Sequence, residues 1–216
     1  MDTAKCVAAL FDFDGVVMDT ESQYTVFWNG VGRKYHPEYE AFGLKIKGQT
    51  LDQIYGKYFQ GMDEEQKRIT EALDRYESEM QYIYVPGVAD FMRELRGRGV
   101  KIAIVTSSNE KKMANVYAAH PELKPLVDRI LTAEQFARSK PAPDCFLLGA
   151  EVFGTVPQNC VVFEDSFHGL EAGNAAGMAV VGLSTTNPEE AIRDKCRTVI
   201  PDFRSFTCDD MMKLLK

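Results

Sequence analysis

Apolar residues follow two alternating patterns along most of this chain: short apolar segments, and apolar residues spaced three or four positions apart. Short, largely apolar segments, typical of buried strands, lie at residues 7–13, 100–105, 129–132, 160–163 and 179–183, with a shorter one around Val199. Between them, apolar residues recur every three or four positions, which predicts helices at residues 88–95, 111–119, 144–153, 170–176 and 189–195. Strands that alternate with helices in this way predict an α/β fold with a parallel sheet and helices on both faces.

The segment from residue 19 to residue 85, called the helical insertion below, breaks this alternation after the first strand. It is rich in aromatic and charged residues, and a helical stripe with spacings of four and three passes through Ile69, Leu73, Tyr76, Met80 and Ile83. Asp63 precedes the stripe, where a carboxylate can cap a helix. We therefore predict two domains: a core of residues 1–18 and 86–216, and an all-helical domain of residues 19–85.

The overall composition limits the classes of partner. The chain has 216 residues, a net charge of −7 and a pI near 5.1, which argues against a general nucleic-acid binder because such proteins carry a basic face. No apolar run approaches the length of a membrane span, so we expect no membrane partner. The five cysteines are scattered and odd in number, which favours reduced thiols in a cytoplasmic protein. The oligomeric state stays open.

Polar side chains follow several of the predicted strands. Parallel sheets bind ligands beyond the carboxyl ends of their strands, so these residues should share one site. Asp12 and Asp14 end the first strand, and because they are two positions apart they can face the same side. The other candidates are Thr106 and Ser107 after the second strand, Lys140 after the third, and Glu164 and Asp165 after the fourth.

These residue types together favour metal-assisted phosphoryl transfer. A phosphate dianion and an attacking carboxylate repel each other, so a divalent metal and a cation must offset their charges. Mg²⁺ prefers a few carboxylate or carbonyl oxygens, which Asp12, the backbone carbonyl of Asp14, and Asp165 can supply. Lys140 would be the cation and Thr106 a hydrogen-bond donor. The alternatives are ordinary ones: turn acids at strand ends, a surface lysine, and helix caps at Thr106, Glu164 or Asp165.

Four segments resemble the motifs of the haloacid dehalogenase superfamily, in the same order and over nearly the whole chain. They are residues 12–21 (DFDGVVMDTE), 104–108 (IVTSS), 139–144 (SKPAPD) and 163–166 (FEDS), the last extended through residue 177. The resemblance implies a Rossmann-like core with the helical insertion as a cap domain. It also implies that Asp12 is a nucleophile forming an aspartyl-phosphate and Asp14 an acid/base. Thr106, Ser107 and Lys140 would hold the phosphoryl group, and Asp165 would hold Mg²⁺ with Glu164 beside it.

Within that superfamily the chain most resembles the group of small-molecule phosphatases and β-phosphoglucomutase. The resemblance includes Trp28 and the Lys47-Gly48 loop as candidates for substrate contact, although Trp28 also suits a packed core and the loop a helix start. The mutase uses a cap histidine and a cap arginine, and the aligned residues here are Tyr24 and Leu51.

We therefore expect a Mg²⁺-dependent phosphatase that hydrolyses a small phosphorylated metabolite, such as a sugar phosphate, and keep the mutase as the alternative. Dehalogenation would not need the second acid of the first motif. A non-catalytic binding protein would have lost at least one of Asp12, Asp14, Lys140 or Asp165, and all four are present.

Overall fold

A parallel six-stranded sheet forms the centre of the protein, whose computed structural model describes residues 6–215. The strand order is β3-β2-β1-β4-β5-β6, with every neighbouring pair parallel. The strands are β1 (Ala8–Phe11), β2 (Lys101–Val105), β3 (Arg129–Leu131), β4 (Cys160–Glu164), β5 (Ala179–Leu183) and β6 (Thr198–Ile200). All six strands that the apolar runs predict are therefore present.

The helices follow the strands in alternation, apart from the block after β1. They are α1 (Glu21–Tyr35), α2 (Phe42–Lys45), α3 (Leu51–Tyr58), α4 (Asp63–Glu79), α5 (Val88–Gly97), α6 (Glu110–Ala119), α7 (Leu123–Leu126), α8 (Asp144–Glu151), α9 (Phe167–Ala175), α10 (Glu189–Ile192) and α11 (Cys208–Lys213). Short 3-10 turns lie at Ala133–Gln135, Pro157–Asn159 and Arg193–Lys195. No helix in residues 6–215 is long and apolar enough to cross a membrane.

Strand β1 lies in the middle of the sheet and is buried on both faces. It pairs with β2 on one side and β4 on the other. On one face Phe11 stacks on Phe163, with ring centroids 4.5 Å apart, and on the other face Leu10 packs in a cluster with Phe146 of α8. These two apolar layers confirm the predicted α/β fold with helices on both faces. They also place Asp12, which directly follows β1, at the centre of the carboxyl edge.

The helical insertion contains α1 to α4 and has an apolar cluster of its own. The buried members are Trp28, Phe42, Ile46, Ile54, Phe59, Ile69 and Leu73. Two details of the sequence prediction were wrong here. The stripe does not continue through Ile83, which is 58% exposed, because α4 ends at Glu79. Asp63 is the first residue of α4 and Met62 occupies the capping position, with no side-chain cap.

The insertion joins the sheet through two chain segments that run side by side. The Val85 N–H donates to the Val17 carbonyl at 3.0 Å, and the Asp19 N–H donates to the Ile83 carbonyl at 2.7 Å. The first segment follows β1 by only a few residues, so the insertion lies close to the carboxyl edge of the sheet. Residues 1–5 and residue 216 of the predicted core lie outside the described residues.

Candidate active site

Lys140 connects two acids at the centre of the carboxyl edge. Its ammonium donates to Asp12 Oδ1 at 2.5 Å and to Glu164 Oε1 at 2.6 Å, and also to the Val105 carbonyl at 3.2 Å. Lys140 and Glu164 are almost fully buried, with side-chain exposures of 2% and 1%. The reading of Lys140 as a surface lysine is therefore wrong. Three segments that are distant in sequence meet here, as the strand-end pattern predicts.

Asp12, Glu164 and Asp165 form a buried group of carboxylates. Each can offer one oxygen, and these oxygens lie within 4.8 Å of one another. The other oxygen of Glu164 accepts from the N–H groups of Asp165 and Ser166 at 2.9 and 3.0 Å, which fixes its orientation. Ser166 caps α9 with its own hydroxyl, so neither acid serves as the capping residue.

Asp165 presents an oxygen whose surroundings fit a cation. Oδ2 of Asp165 is buried and has no hydrogen-bond partner among the described residues. A Cβ on Gly15, which has φ +77°, would overlap this oxygen, so the glycine leaves the space beside it free. A hard divalent cation such as Mg²⁺ takes oxygen ligands of this kind, and the donor set fits it.

Two carboxyl groups of this cluster, those of Asp12 and Asp165, have raised pKa values when no cation is bound. Burial, together with the nearby Glu164 and Asp14 and despite the opposing Lys140, raises the pKa of Asp12 to about 8. Burial and then Glu164 raise the pKa of Asp165 well above its usual range. Burial lowers the pKa of Lys140, but the charges of Asp12 and Glu164 outweigh it and the net shift is upward. Three acidic side chains thus surround one ammonium, and the raised pKa values of two of them reflect their mutual repulsion and burial.

Asp14 lies beside this cluster but has separate partners. Its carboxylate accepts from Lys112 Nζ, which is 2.5 Å from both oxygens, from the Ser108 hydroxyl at 2.9 Å, and from the Thr20 hydroxyl. Asp12 and Asp14 therefore have different cations, Lys140 and Lys112. This separation gives two adjacent carboxylates different surroundings, which is the arrangement that lets such a pair take different chemical roles.

Three hydroxyl residues follow β2, namely Thr106, Ser107 and Ser108, and they differ in their contacts. Thr106 is buried and its hydroxyl accepts from the Ser108 N–H at 3.0 Å, so it shapes the loop after the strand. Ser107 and Ser108 line the cavity above the acids. Asn109 caps α6, accepting from the Lys112 N–H at 2.8 Å, which is the capping role considered for this segment.

A cavity of about 430 Å³ lies between the carboxyl edge and the helical insertion. The insertion lines it with Trp28, Lys47 and Gly48, the three cap candidates of the sequence analysis. Trp28 also packs edge-on against Phe27 at 5.3 Å and belongs to the apolar cluster of the insertion, as a packed core residue does. Its contact with a substrate stays a prediction.

Charged groups of the insertion also face the cavity. Lys47 pairs with Glu21 at 3.3 Å, and both residues line the cavity. Burial and the charge of Asp14 raise the pKa of Glu21. Gln53 of α3 donates to the Lys140 carbonyl at 3.1 Å, which ties the insertion to the sheet edge.

The sequence reasoning missed Lys112, Glu21 and Glu77 as residues of this region. Lys112 is 2% exposed and four positions after Ser108, so the two meet on one side of the first turn of α6. That spacing, together with a start of α6 directly after the Thr106 motif, is the signal that could have found it. Glu77 lacks such a signal, because its burial depends on how α4 packs on α1.

The sheet, the site at its carboxyl edge and the helical insertion above it define an α/β enzyme. The haloacid dehalogenase-like hydrolase family matches residues 7–177, and the chain belongs to this family. The predicted family and the predicted class of enzyme, a hydrolase, are thereby confirmed.

Named relatives and solved structures agree with this assignment. The chain is 31% identical to SUPPRESSOR OF QUENCHING 1, a chloroplastic protein of Arabidopsis thaliana, over 93% of this chain but 20% of that much longer protein. It is 30% identical to a phosphorylated carbohydrates phosphatase of Thermotoga maritima, over 79% of this chain and 82% of the relative. A crystal structure of β-phosphoglucomutase from Clostridium difficile superposes with a TM-score of 0.78 and 25% identity, over 97% of each chain.

Proposed function

We propose that this protein is a Mg²⁺-dependent phosphatase that hydrolyses a small phosphorylated metabolite, such as a sugar phosphate, through an aspartyl-phosphate. The single observation that carries the proposal is the contact of Asp12, at the centre of the carboxyl edge, with the buried Lys140 under a cavity. A carboxylate in that position can attack phosphorus, and the ammonium offsets charge on the phosphoryl oxygens. The similarity to a phosphatase of phosphorylated carbohydrates supports the substrate class.

The proposed reaction has two half-reactions. An oxygen of Asp12 bonds to phosphorus while the bond to the leaving oxygen breaks, and Asp14 gives that oxygen a proton. Water then attacks phosphorus, Asp14 takes a proton from it, and the bond to Asp12 breaks to release inorganic phosphate. Lys140, Ser107 and the loop formed around Thr106 would hold the phosphoryl group in both steps. Each residue keeps its own task because Asp12 and Asp14 have different partners.

Asp12, Asp165 and the backbone carbonyl of Asp14 would hold Mg²⁺, with Glu164 beside them. The unpartnered Asp165 Oδ2 and the cluster within 4.8 Å support this assignment. When bound, Mg²⁺ supplies positive charge that lets a carboxylate approach a phosphate dianion. Release of protons from the acids on binding would make its affinity rise with pH.

We further propose that residues 19–85 act as a cap domain on a core of residues 1–18 and 86–216. The apolar cluster of the insertion and the paired connecting segments support this division. Trp28, Lys47 and Gly48 would contact the leaving group. A cytoplasmic location is consistent with five free cysteines in the described chain.

The phosphoglucomutase activity is the second candidate, favoured by the similarity to the Clostridium difficile enzyme. A mutase must hold a second phosphate group and protect its aspartyl-phosphate from water. Leu51, which lines the cavity, is neutral, and the hydroxyl of the partly buried Tyr24 donates to Glu77 at 2.7 Å. These two positions therefore favour hydrolysis over transfer to a second sugar hydroxyl.

A screen of phosphate esters with and without Mg²⁺, on the wild type and on Asp12→Asn, tests the proposal. We expect Mg²⁺-dependent release of inorganic phosphate by the wild type and none by the variant. Equal turnover by Asp12→Asn would exclude Asp12 as the nucleophile. Formation of glucose 6-phosphate from β-glucose 1-phosphate faster than release of phosphate would establish the mutase instead.

A further inference from the structure

Lys112 is a buried cation whose place at the first turn of α6 is not explained by folding alone. Its side chain is 3% exposed, and Nζ lies 2.5 Å from both oxygens of Asp14 and 2.9 Å from Ser108 Oγ. Removing an ammonium from water is costly, and a well-packed apolar side chain of similar size often gives equal or greater stability. A buried lysine aimed at a single carboxylate therefore calls for a functional reason.

The Lys112 ammonium also faces two aromatic rings, one from the edge of the sheet and one from the helical insertion. It lies 5.3 Å from the ring centroid of Phe13, in the loop after β1, and 4.6 Å from that of Tyr24, on α1 of the helical insertion. The Tyr24 hydroxyl donates to Glu77 of α4 at 2.7 Å. Lys112 thus sits where the sheet edge meets the insertion.

The preceding residue makes a parallel contact that serves as a comparison. Lys111 pairs with Asp74 of α4 at 2.5 Å, but its side chain is 67% exposed and does not line the cavity. Two successive lysines of α6 therefore contact the insertion, one at the surface and one at Asp14. An exposed pair of this kind contributes little to stability.

We propose that Lys112 is a positioning residue that fixes the orientation of the Asp14 carboxylate relative to the helical insertion. This inference rests on the acid/base role proposed for Asp14. Both Asp14 oxygens are held by one ammonium, and each also accepts from a hydroxyl, that of Thr20 or of Ser108, so Asp14 has a single orientation when Tyr24 covers the lysine. Lys112 takes no part in the proton transfers, and those to the leaving oxygen and from water are made by Asp14.

The test separates the two half-reactions with p-nitrophenyl phosphate and an alkyl phosphate. A p-nitrophenolate leaving group needs no proton, whereas an alkoxide does, and water attack needs Asp14 with either substrate. For Lys112→Met we expect alkyl phosphate turnover to fall by about 10- to 100-fold, at or below the lower end of the usual contribution of acid/base catalysis, because Asp14 itself remains. With p-nitrophenyl phosphate, stopped-flow kinetics should show a burst of one p-nitrophenolate per enzyme, followed by slow turnover with little change in KM.

Matched variants keep the result interpretable. Lys111→Met should match the wild type on both substrates, and Lys112→Arg should recover part of the lost turnover because it keeps the charge. Ser108→Ala, which removes one partner of Asp14 and leaves the lysine in place, should give the same burst with a smaller loss. It serves as the test if Lys112→Met does not fold.

Other outcomes would overturn the inference or the function beneath it. Unchanged alkyl phosphate turnover in Lys112→Met, or equal losses in burst rate and steady state, would contradict a positioning role. A wild type that releases no phosphate from either substrate would instead overturn the proposed phosphatase activity, before any variant is compared.

Discussion

At the scale of single residues, the neighbours of Asp12 shift its pKa in opposite directions. Lys140 favours its charged form, while burial and neighbouring carboxylates oppose it and raise its pKa from 3.8 to about 8. An acid whose pKa is raised on folding gives stability that is complete below the unfolded value and is lost as pH rises through the folded value. The metal-free protein should therefore lose stability as pH rises between these two values.

Asp12→Asn removes this titration and should leave the metal-free protein as stable as the wild type at neutral pH, or more stable. The measurement is urea unfolding of both proteins in chelator across the pH range. The wild type should lose more stability than the variant with rising pH. Identical pH profiles of the two proteins would show that Asp12 does not titrate in this range.

Replacing Lys140 should lower the stability of the protein, in contrast to Asp12→Asn. Lys140→Met removes the ammonium that contacts Asp12 and Glu164 and leaves the buried Glu164 carboxylate without its cation. Breaking a buried pair in this way typically costs about 3–5 kcal/mol. We expect the free energy of unfolding to fall by that amount at neutral pH, measured by urea unfolding, and a loss within the range of an exposed Lys111→Met variant would contradict the account.

At the scale of elements, the loop before α3 controls how closely the insertion meets the sheet. Gly48 has φ +74°, and a Cβ there would lie 3.0 Å from Cβ and Oγ of Ser166, next to the acidic cluster. Gly48→Ala should therefore push the loop away from the site and lower kcat/KM, in addition to straining the backbone.

Gly61 provides a control for that strain. It has φ +76°, and a Cβ there would meet nothing within 4 Å. Gly61→Ala should lose stability for the same backbone reason but keep kcat/KM. Steady-state kinetics and thermal unfolding of the two variants separate these effects, and equal kcat/KM losses would show that the Gly48 contact does not matter.

The apolar runs were sufficient to predict the four central strands, because β1, β2, β4 and β5 are buried on both faces. The edge strands β3 and β6 are shorter and only partly buried, so their apolar runs are shorter too. Helix ends were less predictable. The last predicted helix divides into α10 and the Arg193–Lys195 turn, and the stripe of α4 stops before Ile83. Such ends depend on which neighbours cover the segment, and those contacts are long-range in sequence.

The residues of the candidate site were likewise predictable only in part. The residues at strand ends could be found because the edge of a sheet gathers them, which is why Asp12, Lys140 and Glu164 meet. Lys112 reaches Asp14 from the first turn of α6, and Glu77 reaches Tyr24 through the packing of α4 on α1, so neither residue directly follows a strand. The roles assigned to the site residues stay predictions.

At the scale of the whole molecule, a cation at the acidic cluster should stabilise the fold. A ligand that binds only the folded state at 100 times its dissociation constant adds about 2.7 kcal/mol. We expect Mg²⁺ to raise the unfolding temperature of the wild type in a saturable way. Asp165→Asn should lose the shift, and Asp90→Asn, at a side chain 87% exposed, should keep it. An equal shift in all three proteins would place the cation elsewhere.

The central claim is that the substrate's phosphoryl group passes through Asp12. The most direct measurement is acid quenching during turnover of a phosphate ester with Mg²⁺, followed by peptide mass spectrometry. The account predicts a peptide that contains Asp12 and is heavier by one phosphoryl group, absent in Asp12→Asn and without Mg²⁺. Phosphate release by the wild type with no such adduct, or with the adduct on another residue, would contradict it.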